Sequence, residues 1–398
     1  MYLIAWKMLT GDRAKFGGLL LGITFTAFLV TFAASYFSGF MTRGFALISE
    51  NPSIDVWVMD PAVSSTERTI NMPDSALQQV RSVSGVRYAT PLAIGNIDAR
   101  IANGRFQAFQ VFGVDDATLI GAPVPEGRTT PDILHRPDAA IVDSGGTSGK
   151  LDTPLRPQDQ WPHDGVHLDV PVRELRAGDE MLADDSLIRV LGRSHTLPRF
   201  PPRPLLYTTY SNALRILPAA RKHLTFVMVE AEPGTQPAKL ARRIERITGL
   251  RARTSADFKA DTVRWYLINS EDVGDMAAML TLAMTVGFGV TGVMLYMFTY
   301  ENLRQYAVLK AMGAGPGMLT GMVFLQSVSS ALLGTGIGLG LCSLVGQLVS
   351  FLFDYPFRMM WFTPIAGTVG VLIVSLTAAA ISVRPVLRLQ PAEVFSGR

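Results

Sequence analysis

Cysteine is almost absent from this chain. Cys342 is the single one among 398 residues, so no disulfide can form within the chain and no cysteine-rich metal site can be built. Charge is scarce as well: Asp, Glu, Lys and Arg make up 17% of the residues, where a soluble domain carries about a quarter. Histidine is rare and confined, with all 5 at positions 135, 163, 167, 195 and 223. His163 and His167 have the i, i+4 spacing that lets two imidazoles share a metal on a helix, but Pro162 and Gly165 argue against a helix there, so loop histidines are expected. HExxH, GxSxG and paired carboxylates in apolar segments are all missing, which removes the usual nucleophiles and metals of an intramembrane protease or hydrolase. The segment Ser144-Gly-Gly-Thr-Ser-Gly-Lys-Leu151 places Ser and Leu where a phosphate-binding loop needs Gly and Ser/Thr, and it reads as a glycine-rich turn.

What is abundant is apolar sequence. Hydrophobic residues reach 48% and mean hydropathy is +0.26. A helix needs about 20 apolar residues to cross the hydrocarbon core. Uncharged runs of that length occupy residues 16–42, 276–300 and 359–383, and a run of 43 residues from Ala311 to Phe353 is long enough for a turn (Gly313 to Gly317, with Pro316) followed by a span at 318–353. The first run exceeds the apolar core of a signal peptide and lacks a convincing small-x-small cleavage site. Residues 43–275 between the first and second runs are too polar for the membrane. The expected fold is therefore an α-helical membrane protein, four transmembrane helices arranged 1+3, with an α+β extracytoplasmic domain inserted between spans one and two.

Lys and Arg in the short flanks set the expected orientation. With both termini cytoplasmic, the inner segments (1–15, 301–317 and 384–398) carry Lys7, Arg13, Lys15, Arg304, Lys310, Arg384, Arg388 and Arg398, against Arg358 alone in the short outer loop. Residues 43–275 have a net charge of −2 and the remainder +5. The basic pI of 9.0 thus belongs to the membrane part, and no nucleic-acid partner is expected. Residues 1–15 read either as an interfacial helix anchored by Trp6 and Lys7 or as an extension of span one.

In the inserted domain, Ile54 to Met59 alternates like a strand, and residues 86–114 read as a β-meander turning at Asn103-Gly104. Helices are expected at 73–83 and 237–248. These two are related by a constant offset of 164, pairing Val80 with Ile244, Val83 with Ile247 and Gly85 with Gly249. The offset is compatible with a duplicated βαβ half and equally with any two amphipathic helices stopped by glycine. The proline-dense stretch Arg193 to Pro204 reads as an extended docking surface or a solvated loop.

Within the spans, Gly18 and Gly22, and the set Gly334, Gly336, Gly338 and Gly340, contain small-residue pairs four apart that suit close helix packing, on another span or on a second copy. The apolar runs hold none of the ionisable groups that proton- or sodium-coupled carriers usually place mid-membrane, so energy is expected from elsewhere. Between spans two and three, Leu303, Tyr306 and Lys310 fall at helical spacing and Gly313 stops the turn. This short helix is either a solvated connector or a docking element built from Glu301, Arg304, Gln305, Tyr306, Val308, Leu309 and Lys310.

That loop, Leu309-Lys-Ala-Met-Gly-Ala314, together with Arg388-Leu-Gln-Pro-Ala-Glu-Val-Phe395 and the 1+3 layout, resembles the FtsX-like, MacB-type permeases of ABC systems. Val111-Phe-Gly-Val-Asp115, Ile141-Val-Asp143 and Tyr306 to Gly313 look most like the DevC-like heterocyst-glycolipid exporter permeases. The resemblance implies a non-catalytic permease in the bacterial inner membrane that works as a homodimer with two copies of a separate ATP-binding subunit. ATP and Mg would be held on that partner, with no cofactor on this chain. It further implies docking through the inner loop and extrusion of a hydrophobic or lipid-like substrate through a periplasmic adaptor and an outer-membrane duct. Relatives that signal to a cell-wall hydrolase, or that release lipoproteins, are the alternatives. The 233 residues of the inserted domain favour export, because the signalling relatives have smaller ones. Gln305 stands where these families generally have Glu.

Overall fold

The computed structural model describes residues 2–101, 104–147, 149–155, 171–221 and 223–388. His163, His167 and most of the C-terminal motif lie outside the described residues. The chain divides into two compact units, one comprising residues 1–40 and 270–398 and the other residues 41–269.

The first unit opens with α1 (Tyr2–Gly11) and α2 (Arg13–Gly44). These are separate helices: Asp12 ends α1, and its carboxylate accepts the backbone N–H groups of Ala14 and Lys15 at the start of α2, satisfying donors that a helix start leaves open. After the inserted unit, the chain returns through α8 (Glu271–Glu301), α9 (Leu303–Ala311), α10 (Pro316–Phe353) and α11 (Phe362–Arg388). Pro316 stands at the first turn of α10, where its missing N–H costs nothing. Helices α2, α8, α10 and α11 are each long and apolar enough to cross a membrane.

Half of the apolar window of α2 is buried, against 17% to 39% in the other three spans, which makes α2 the hub of this unit. The reason is chemical. Each neighbour presents glycine to α2: Gly287 of α8 meets Thr26, Gly334 and Gly338 of α10 meet Ile23, Thr24 and Ala27, and Gly367 of α11 meets Thr31. Thr26 Oγ1 donates back to Gly22 O at 2.9 Å and lies 3.1 Å from Thr291 Oγ1. Small residues let backbones approach, and the Thr26 hydroxyl finds its partners within the helix pair.

The inserted unit contains α3 (Ala46–Ser49), β1 (Val56–Met59), α4 (Ser75–Arg81), β2 (Val86–Arg100), β3 (Phe106–Val114), β4 (Ala139–Asp143), β5 (Asp152–Pro154), β6 (Val172–Glu174), β7 (Glu180–Ala183), β8 (Ser186–Arg193), β9 (Leu205–Thr209), α5 (Tyr210–Ile216), β10 (Phe226–Ala231), α6 (Pro237–Thr248), β11 (Arg251–Thr254) and α7 (Ser255–Asn269). Its main sheet runs β11-β1-β10-β2-β3-β9-β4-β8-β7. The first four strands are mutually antiparallel. With α4 and α6 they form two βαβ halves in a split arrangement, β1-α4-β2 and β10-α6-β11. Val80 and Ile244, matched by the sequence offset, are both fully buried in one core with Val58, Val227 and Leu240. Gly85 and Gly249 both take positive φ, 97° and 71°. The repeat stops at Ile247, which is 60% exposed where Val83 is buried.

β2 and β3 pair as the hairpin expected on either side of Asn103-Gly104, but the next neighbour of β3 is not the following strand, as a meander would have it, and is the distant β9 in parallel. The segment between β3 and β10 adds strands β4 to β9, and β7 pairs back onto the far end of β2, at Ala99 and Arg100, closing a six-strand ring of β2, β3, β9, β4, β8 and β7. Helix α5 packs on β2 and β3, where Gly95 and Gly113 leave room for Leu217 and Ala213.

Candidate functional site

The residues named from the inner loop converge on one end of the membrane unit, the end that carries α1, α9, the start of α2 and the close of α11. Three bonds fasten α9 and the end of α8 there. Glu301, closing α8, pairs at 3.0 Å with Lys15, which also holds Asp12 at 3.3 Å. Tyr306 is fully buried, its hydroxyl donates to Gln326 Oε1 of α10 at 2.7 Å, and Gln326 Nε2 donates to Ala5 O of α1 at 3.0 Å. Lys310 Nζ donates to Leu387 O of α11 at 3.1 Å. Burial pushes the Tyr306 phenol well above its usual value, with the Gln326 hydrogen bond opposing, so the group is a fixed neutral donor.

This geometry divides the seven loop residues. Tyr306 and Leu309 join the core of the membrane unit together with Leu9, Leu19, Leu295 and Val383, so neither can be offered to a partner. Their spacing reads as an amphipathic face, and that face points inward. Glu301 and Lys310 are held in the bonds just described. The face left outside comprises Arg304, Gln305 and Val308, continued by Met312 at 71% exposure. The sequence reading missed Asp12, Lys15 and Gln326. An Asp directly before an apolar helix is a start signal, and Gln326 is a polar residue in an otherwise apolar run.

The glycines divide as well. Gly22, Gly334 and Gly338 are close-packing positions: a Cβ on Gly22 would lie 3.2 Å from Val290, one on Gly334 2.6 Å from Ile23, and one on Gly338 2.6 Å from Ala27. Gly18, Gly336 and Gly340 face open space.

The inserted unit contains a second polar cluster that the sequence did not signal. The strap 194–204 carries Arg199, which is 5% exposed, lies over the Phe112 ring with its guanidinium carbon 5.4 Å from the centroid, and pairs with Glu50. The other Glu50 oxygen accepts the Leu197 N–H at 2.6 Å. Further fastenings are Arg203 to Glu67 at 3.1 Å, the Thr196 N–H to Asp143 at 2.6 Å, and Tyr266 Oη to Phe200 O at 3.3 Å. Burial raises the Glu50 and Glu67 carboxyls, against the pull of Arg199 and Arg203, and pushes the Tyr207 phenol up to about 12. The proline-dense stretch is thus bound down at five points. Among the described residues no grouping of three or more His, Cys, Asp or Glu could hold a metal.

Two Mycobacterium tuberculosis proteins named as uncharacterized ABC transporter permeases are each 21% identical over 349 residues, 87% of this chain and 86% of the relative. A Mycobacterium bovis protein of the same description is 21% identical over 224 residues, 55% of this chain and 58% of that one. Among solved structures, the periplasmic region of MacB from Actinobacillus actinomycetemcomitans matches at 13% identity, covering 55% of this chain and 94% of that one, with a TM-score of 0.36. The extracellular domain of the ABC-type transporter YknZ from Gram-positive bacteria matches at 15% identity, 50% and 98% coverage and a TM-score of 0.31. Residues 277–391, which take in most of α8, α9, α10 and α11, match the family of FtsX-like permease C-terminal domains, so the three C-terminal spans and the helix between them are similar to an FtsX-like permease domain.

Proposed function

We propose that this chain is the permease subunit of an ATP-driven ABC exporter, in which a separate ATP-binding subunit docks on α9 and its motion is carried through the spans to the inserted domain. The observation that supports this most directly is the fastening of α9 at one end of the spans: it follows α8, whose last residue Glu301 pairs with Lys15 of α2, and is itself bonded to α10 through Tyr306 and to α11 through Lys310. A connector with no mechanical role needs none of these bonds. A force on its exposed face would be delivered to every span at once.

In this reading the α9 end is cytoplasmic, in the inner membrane, and the inserted domain is periplasmic. The concentration of Lys and Arg at the α9 end supports the orientation. Two copies of the chain work with two ATP-binding subunits, and a lipid-like substrate is passed to a periplasmic adaptor and an outer-membrane duct. The resemblance to lipid-exporting permeases and the large inserted domain support that last step. The reading is tested in lipid nanodiscs holding the full chain and its ABC ATP-binding subunit. Wild type stimulates ATP hydrolysis, and Val308→Asp, which changes an exposed side chain, lowers the stimulation about tenfold, the equivalent of about 1.4 kcal/mol. Full stimulation by that variant would reject α9 as the docking element.

A further inference from the structure

Beside α9 lies an open groove of about 470 Å³ between α1 and the junction of α8 with α9, lined among others by Ile4, Lys7, Met8, Lys15, Glu301 and Gln305. We propose that this groove is the second half of the docking surface, a cradle for a segment of the ATP-binding subunit that presents an apolar side chain next to a carboxylate, with Lys7 as the carboxylate's counter-ion. The inference rests on α9 being a docking helix, and it adds α1 to the surface.

Charge is the first argument. The two carboxylates near the groove are already engaged, since Lys15 bridges Asp12 and Glu301 and Asp12 also accepts the first N–H groups of α2. Lys7 forms no ion pair among the described residues, and neither do the nearby Arg13 and Arg304. The lining itself is balanced, Lys7 and Lys15 against Asp12 and Glu301, and Arg13 and Arg304, next in sequence to Asp12 and Gln305, tip the surroundings to positive around an apolar floor of Ile4 and Met8, with the Gln305 amide at its edge. An acidic segment complements it and a basic one is repelled.

Helix geometry is the second argument, and it separates protein from lipid. Helix α1 has three stripes. Ala5 and Leu9 are fully buried and belong to the core of the membrane unit. Leu3 and Trp6, 67% and 45% exposed, form an apolar and aromatic edge suited to the membrane interface. Ile4, Lys7, Met8 and Gly11, spaced by three and four residues, line the groove. Lys7 thus belongs to the groove stripe, opposite Gln305, and the lipid-facing edge is supplied by other residues.

The full chain in nanodiscs with its ATP-binding subunit tests the cradle. A carbodiimide joins an amine to a carboxylate it contacts, so Lys7 is expected to couple to an Asp or Glu of that subunit, located by mass spectrometry. Lys7→Gln is expected to weaken subunit binding about tenfold and to reduce its salt dependence, and Lys7→Arg to bind like wild type without coupling. Unchanged binding by Lys7→Gln, with binding lost in Val308→Asp, would overturn the cradle and leave α9 as the docking element. Protection of Lys7 from acylation by phosphatidylglycerol nanodiscs alone, without the subunit, would overturn it in favour of lipid. If the subunit does not bind the wild-type chain, the docking reading falls and takes the cradle with it.

Discussion

At the scale of single residues, the glycines of α10 make the sharpest contrast. Gly336 and Gly338 are both glycine in the same apolar helix, yet a Cβ at 338 would lie 2.6 Å from the Ala27 Cβ and 2.7 Å from the Thr24 carbonyl oxygen, while one at 336 meets nothing within 4 Å. Gly338→Ala is expected to destabilise by about 1–3 kcal/mol through overpacking against a backbone that cannot yield, and Gly336→Ala to be neutral or slightly stabilising in a helix interior; thermal unfolding of the two variants in detergent compares them directly. The buried pair Glu50–Arg199 makes a second, pH-dependent case. Glu50→Ala removes both oxygens and strands a guanidinium that is 5% exposed, a loss of about 3–5 kcal/mol for a broken buried pair. Burial holds the Glu50 and Glu67 carboxyls above the usual 4.5, Arg199 and Arg203 opposing, so the folded state keeps these protons where the unfolded state has released them. Their contribution to stability therefore grows as pH falls from neutral toward 4.5 and declines as pH rises through the folded values. Melting curves between pH 7 and 5 should show this acid-side gain in wild type and a shallower one in Glu50→Ala.

At the scale of elements, the parts that carry their own punctuation were legible. Helix α6 has Pro237 at its start and Gly249, at positive φ, as its stop; the β2–β3 turn has Gly104 at positive φ; and the four spans follow from apolar run length alone. The closed ring of strands was not legible. Its β3–β9 and β2–β7 pairings join segments about 80 to 100 residues apart, and no local pattern encodes which distant edge a strand will choose. The strap 194–204 was misread for a related reason: its prolines signal an extended backbone, but the side chains that bind it down, Glu50, Glu67 and Asp143, come from far along the chain. In α9 the helix itself was legible, and the direction of its apolar face was not, because a short helix among lipid, partner and its own spans has three apolar environments to choose from. Tyr306 settles the choice through its bond to Gln326. Tyr306→Phe keeps the ring and leaves Gln326 Oε1 without that donor, an expected loss of about 1–3 kcal/mol. The more informative readout is hydrogen exchange in α1: the Gln326 side chain that bonds to Tyr306 also donates to Ala5, so faster exchange around Ala5 and Leu9 in this variant would confirm that the three helices are held as one piece, and unchanged exchange would show that α1 is held by apolar packing alone.

At the scale of the whole molecule, the division of charge and the division of the chain coincide. The membrane unit and its flanks carry the net positive charge while residues 43–275 are near neutral, and among the described flanking residues the cations crowd the α9 end: Lys7, Arg13, Lys15, Arg304, Lys310, Arg384 and Arg388, against Arg358 and, in the last turn of α2, Arg43 at the other. The short connection at that other end is folded against α2, with Pro356 beside Gly39 and the Arg358 N–H bonded to Ser35 O at 3.1 Å. It ends in Trp361, 78% exposed and packed edge-on to Phe362, the kind of aromatic pair that marks a membrane interface. Each end therefore offers one exposed reporter, Met312 and Trp361. The chain is well suited to labelling, because its only native thiol, Cys342, is fully buried and should stay silent toward a membrane-impermeant maleimide. Met312→Cys and Trp361→Cys are expected to label on opposite sides: with the outer membrane opened and the inner membrane intact, Trp361→Cys reacts within minutes and Met312→Cys reacts only after the inner membrane is permeabilised. The reverse pattern would place α9 outside, beyond the reach of any ATP-binding subunit, and would remove the energy source on which the exporter reading depends.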